Sequence, residues 1–153
     1  MIPINFLRMK VGLVVLFGLL LVSVPQTLAS EMDSGGYLTV NSVDISLKSG
    51  YADVHVTYSL EDAFRFLVLV LGENDMRSKL LDQLNFSNAS VLTMNYTDAD
   101  IRIYDMQTVY GEGLYWFPAH EFNIKIPDVV IRTNQSCEQY ENISRLENGI
   151  VYF

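Results

Sequence analysis

Val43-Asp-Ile-Ser-Leu-Lys-Ser-Gly-Tyr-Ala-Asp-Val-His-Val-Thr-Tyr-Ser-Leu60 alternates apolar with polar residues on either side of a Ser49-Gly50 break. Val43, Ile45 and Leu47 face one way. Val54, Val56, Tyr58 and Leu60 do the same, with Asp53, His55, Thr57 and Ser59 opposite them. A period of two is the repeat of a strand, and a Gly-containing pair between two such runs is a tight turn, so this stretch predicts a β-hairpin with one wet face. Immediately upstream, Leu38 and Val40 occupy the even positions instead. That slip of phase at Asn41-Ser42 predicts a β-bulge or a break between two short strands.

Downstream, Ser59-Leu-Glu-Asp62 has the form of a capping box with acids in a first helical turn, which places a helix start near Leu60. Phe64 to Leu71 is apolar apart from Arg65, so periodicity alone does not separate helix from strand there, and the cap decides for helix. Gly72 interrupts it, and Met76, Leu80 and Leu84 then recur at helical spacing, giving a kinked helical pair that ends near Asn85. From Ser90 the alternation returns. Leu92, Met94 and Tyr96 oppose Thr93 and Asn95, Thr97 to Asp100 turns the chain, and Ile101 to Tyr110 reads as a strand. Phe122, Ile124 and Ile126 alternate up to Pro127, Val129 to Thr133 follows, and Gly149 to Phe153 is the expected last strand. Strands, a helical segment and a β-meander together predict an α+β domain over residues 37–153, with an antiparallel sheet curled over the helix.

Residues 1–29 are set apart from that domain. Arg8 and Lys10 precede an apolar run from Val11 to Val22, and Ala29 and Ser30 supply small residues for cleavage, which is the pattern of a secretory signal peptide. The run is shorter than the roughly 20 residues of an ordinary span. If uncleaved it would serve as a signal anchor through residues 11–24. Residues 30–36 form a polar linker. Removal of residues 1–29 leaves 8 basic residues against 18 acidic, a net charge of −10. Such a chain repels phosphate backbones and anionic lipid, so no nucleic-acid partner is expected and membrane contact is limited to the signal segment. The expected location is extracellular or at the cell surface. Cys137 is the single cysteine, which excludes an internal disulfide and leaves a small buried hydrophobe, the favoured reading, or an intermolecular bridge.

Five Asn-x-Ser/Thr triplets begin at Asn85, Asn88, Asn95, Asn134 and Asn142, where chance would give roughly one in a chain of this composition. None falls on an expected core position, as glycan attachment requires. Exported asparagines in this sequence context are candidates for N-glycosylation.

Catalytic and metal-binding patterns are sparse. His55 lies on the wet face of the hairpin, His120 lies near Trp116 and Glu121, and two histidines with one distant cysteine do not make a zinc site. No metal or cofactor is expected. Asp98 and Asp100 begin like a calcium loop, but Arg102 occupies the next alternate position and the loop glycine is missing. Glu112, Glu121 and Asp105 are the acids available to a carboxylate-dependent hydrolase. The densest feature is aromatic: Tyr110, Tyr115, Trp116 and Phe117, with His120, surround Gly111-Glu-Gly113. These residues either close one end of the core or form a patch that stacks on sugar or protein.

Tyr110-Gly-Glu-Gly113 followed by Tyr115-Trp-Phe-Pro118, the Ile126-Pro127 pair, Asn85-Phe-Ser-Asn-Ala-Ser90 and the final Gly-Ile-Val-Tyr-Phe resemble a group of small exported proteins of archaea with no known activity. The resemblance spans most of residues 50 to 153. It implies export into a glycosylating cell envelope and supplies no catalytic residue. The expectation is a binding or structural module whose partners are other envelope proteins or glycans. The alternatives are a small extracellular hydrolase and a membrane-tethered accessory subunit.

Overall fold

The computed structural model describes residues 36–62, 64–65, 72–105, 108–109 and 113–153. The chain divides into two units, Met1–Gly36 and Tyr37–Phe153, and every described residue except Gly36 belongs to the second. The expected signal segment lies outside the described residues. No helix among the described residues is long and apolar enough to cross a membrane.

The hairpin forms from β1 (Leu38–Lys48) and β2 (Tyr51–Leu60), paired antiparallel from Leu38 opposite Leu60 to Lys48 opposite Tyr51. Gly50 takes a φ of 92° in the two-residue turn, a conformation a side chain disfavours. The register shifts between Val40 and Ser42. This bulge lets Leu38 and Val40 face the same side as Val43, Ile45 and Leu47, and all five are buried.

The α+β expectation is overturned. The described residues are mostly β, with α1 (Glu73–Leu84) as a single short helix beside nine strands. β3 (Ala89–Met94), β4 (Asp98–Tyr104), β7 (His120–Arg132) and β8 (Cys137–Leu146) join the hairpin in a six-stranded sheet of order β3-β4-β2-β1-β7-β8. β5 (Thr108–Val109), β6 (Tyr115–Phe117) and β9 (Ile150–Tyr152) make a separate small sheet. Nor is the large sheet purely antiparallel: β1 and β7 run parallel, Ser42 beside Asp128 through Ser46 beside Arg132. A meander cannot produce that pairing. It needs the long crossover that the intervening chain supplies.

Four local expectations are corrected. Ser59 is not a helix cap, because β2 continues through Leu60 against Leu38 and Thr39; the helical turn beyond it bonds the amides of Phe64 and Arg65 to the Glu61 carbonyl. The remainder of that expected helix, residues 66–71, lies outside the described residues. Leu92 is exposed, because the β3–β4 register shifts between Val91 and Thr93, and Tyr96, also exposed, lies past the end of β3. The polar stretch that holds Asn142 is a strand, β8, and residues 120–132 form one strand through Pro127 instead of two. Pro127 has no amide hydrogen to give, and the register sets it opposite Asn142, whose φ of 56° marks a local break in the ladder.

The core lies on one face of the large sheet. Met76, Leu80 and Leu84 of α1, and Phe117, Ile150 and Tyr152 of the small sheet, join Ile45, Val54, Ile101, Ile103 and Ile131 in one buried cluster. Asn85 ends α1 with a left-handed φ of 56°, and its amide bonds the Leu81 carbonyl. Buried Gln83 donates from Nε2 to the Leu38 carbonyl at 3.1 Å, fixing the helix to the start of β1.

Candidate functional site

The face opposite the core is a register-aligned polar lattice. Residues paired across neighbouring strands project to the same side about 4.8 Å apart, so the ladders set out its rows. One row runs Ser90, Arg102, Asp53, Ser46, Arg132, Cys137; the next runs Thr93, Asp100, His55, Asp44, Val130, Gln139. The middle of this face is an open groove of about 510 Å³ lined by Asp44, Asp53, His55, Asp100, Arg102 and Arg132, among others, with Leu92 of β3 also on its wall.

Its charges are paired. Arg102 donates from Nε to Asp53 Oδ1 at 2.7 Å and from Nη2 to Oδ2 at 3.2 Å, and its guanidinium lies 4.3 Å from the Tyr51 ring centroid. Arg132 Nε sits 2.8 and 3.1 Å from the two Asp44 carboxylate oxygens. Asp100 is hydrogen-bonded to His55 Nδ1 at 2.8 Å and receives the Thr93 hydroxyl at 2.7 Å, and these two bonds hold its carboxyl below the usual range. Solvent-exposed ion pairs add only about 0–1 kcal/mol each to stability, so this array orients its groups more than it holds the sheet together. His55 and Thr93 both bond the carboxylate and not each other. A nucleophile activated by an imidazole needs the hydroxyl on the imidazole, which is not this arrangement.

The aromatic patch expected from sequence splits. Tyr110 and Glu112 lie outside the described residues. Phe117 is buried, Trp116 and Tyr115 are half-buried, and Tyr115 stacks on Tyr152 at 5.4 Å. A Cβ at Gly149 would stand 2.1 Å from the Trp116 ring, so the indole lies directly on that backbone. His120 is buried. Its Nε2–H donates to the Leu84 carbonyl at 2.8 Å, its ring stacks on Phe86 at 4.1 Å, and burial pushes its pKa down. It joins the end of α1 to β7 as a neutral structural group. Glu121 is exposed on β7 opposite Arg145, and Asp105 is exposed with a φ of 57°. Cys137, expected to be buried, is exposed on β8 beside Arg132, because that strand packs against the sheet on one side only.

All five candidate glycosylation asparagines are exposed. Asn85, Asn88 and Asn142 have φ between 54° and 56°, where asparagine is tolerated better than most residues, so backbone conformation alone favours Asn at those three positions. It does not call for the Ser or Thr two residues later. Asn95 Oδ1 accepts from the amides of Thr97 and Asp98 and from the Thr97 hydroxyl, closing the β3–β4 turn. Among the described residues no group of three or more His, Cys, Asp or Glu side chains is placed to hold a metal ion.

Asp53 and His55 are legible from the sequence as wet-face residues, whereas nothing in the sequence marks Asp44, Arg102 and Arg132 as members of the same surface. The alternation carried the facing; the pairing across 49 and 88 residues of chain had no local signal. No protein-family model, no curated protein and no solved structure matches the chain.

Proposed function

We propose that this protein is an exported, N-glycosylated cell-envelope module that acts by contact, through the polar face of its six-stranded sheet. The observation that carries the reading is the groove over β4, β2, β1 and β7, where carboxylates, guanidinium groups and an imidazole are held in fixed positions by one another. Oriented donors and acceptors on a rigid sheet are what a polar partner, a glycan or a charged protein surface, binds at small entropic cost. Export is supported by the pattern of residues 1–29, and glycosylation by the excess of sequons and the exposure of every sequon asparagine.

Two measurements test it. Intact mass of the native chain from the envelope fraction is expected to show a chain beginning near Ser30 with added glycan; an unmodified chain retaining Met1 contradicts cleavage and modification together and favours a tethered subunit. Binding to envelope glycans and surface proteins, compared between the native sequence and the Arg102→Ala and Asp44→Ala variants, is expected to fall in both. A partner retained equally by both variants contradicts the assignment of the face.

A further inference from the structure

The two outer strands of the large sheet differ in composition. β8 carries Glu138, Glu141 and Arg145 along its length, whereas β3, Ala89-Ser-Val-Leu-Thr-Met94, has no charge and no proline. Among the described residues no strand pairs with the outer side of β3. Leu92 is 49% exposed in its middle. A six-residue segment of β-branched and apolar residues with an open backbone edge is a template for pairing with another chain, and natural edges are blunted by charges, prolines or bulges. β3 has the bulge at Leu92 and no charge.

What brackets it is sugar-accepting sequence. Asn88 immediately precedes the strand and Asn95 immediately follows it, both exposed. Asn85 is differently placed: its side-chain Nδ2 donates to the Glu121 carbonyl at 3.0 Å, so the nitrogen that would carry a glycan is engaged in the fold. At Asn95 the turn uses Oδ1, and an N-glycan attaches at the amide nitrogen. We infer that N-glycans on Asn88 and Asn95 guard the edge of β3, standing in for the missing charges and excluding a second copy of this chain from pairing there. This rests on the glycosylation proposed above and goes beyond it by assigning the two glycans a role.

The test uses the full chain from a glycosylating host. Ser90→Ala and Thr97→Ala remove the two acceptor sequences while leaving Asn88 in its left-handed conformation and leaving the amide bonds of Thr97 and Asp98 to Asn95 in place. Glycopeptide mass fixes occupancy, and sedimentation velocity reads assembly. The expected result is a shift of the double variant from the boundary of the glycosylated chain to larger species, reversed when Leu92→Lys is added. The lysine supplies an edge charge without sugar, so reversal separates edge pairing from misfolding. A glycosylated parent whose double variant sediments as a single unassembled chain overturns the inference alone, as does assembly that Leu92→Lys leaves unchanged. A parent with bare Asn88 and Asn95 overturns it together with the glycosylation it rests on.

Discussion

β3 and β8 close the same sheet at opposite ends, yet one buries a side chain mid-strand and the other almost none. β3 turns Val91 into the core and leaves Leu92 and Thr93 in water. β8 buries Leu146 near its end, sets Tyr140 and Ile143 against the margin of the core, and otherwise faces solvent. β8 is therefore held chiefly by its backbone ladder to β7, and β3 by ladder and packing together. An edge strand can thus be specified by its neighbour's hydrogen bonds, with its own side chains free to serve solubility or recognition.

The largest expected effect breaks that contrast from the core side. Ile103 is fully buried on β4, between Ala52 of β2 and Ala89 of β3, and Ile103→Ala should cost about 2–5 kcal/mol. Hydrogen exchange should then quicken in β3 before β8; equal acceleration in both would mean the edges are not independently held. Gly149→Ala comes next. Its methyl group would meet the Trp116 ring and the Phe117 carbonyl oxygen, at 2.1 and 2.6 Å, and should cost about 1–3 kcal/mol in urea unfolding by forcing the indole to move. The damage should stay in the small sheet, with neither outer strand of the large one exposed.

Tyr58 sharpens the contrast at the β3 end. Its hydroxyl reaches the carbonyl oxygens of Asn95 and Asp98 at 2.5 and 3.2 Å, and burial, then the nearby Asp98 and Glu73 charges, pushes its pKa up to about 12. Tyr58→Phe should cost about 1 kcal/mol by denaturant unfolding and loosen the β3–β4 turn. His120 supplies a pH dependence at the other end of the core. Its folded pKa lies below the ordinary 6.5, so the unfolded chain takes up a proton first as pH falls. Its contribution is complete above about pH 6.5 and is lost as pH falls through the folded value; His120→Phe should flatten that slope in denaturant titrations at successive pH values. The smallest effect is Leu92→Lys in the glycosylated chain, within about 0.5 kcal/mol of the parent by thermal unfolding, because the site is exposed.

Where a strand has one dry face, its residues announced it. The bulge at Asn41 was legible because five buried side chains change parity there, and Met76, Leu80 and Leu84 gave away α1 by their spacing. β8 was not legible, since a strand with both faces wet has no apolar period, and the parallel match of β1 to β7 joins segments more than eighty residues apart. The capping-box reading at Ser59 failed because ladder bonds to Thr39 outweigh a local cap preference. Half of the polar groove was legible as the wet side of the hairpin. Its remainder, from β3, β4 and β7, depends on strand order, which no local pattern encodes.

The most direct test of the account is a glycopeptide map of residues 85–97 from the native protein. Glycan on both Asn88 and Asn95, with Asn85 bare, is the predicted result, and it would place sugar at each end of the uncharged edge strand. Peptides of this segment recovered at their unmodified mass would contradict the guarding of β3 and, with Asn134 and Asn142 also bare, the envelope-glycoprotein reading.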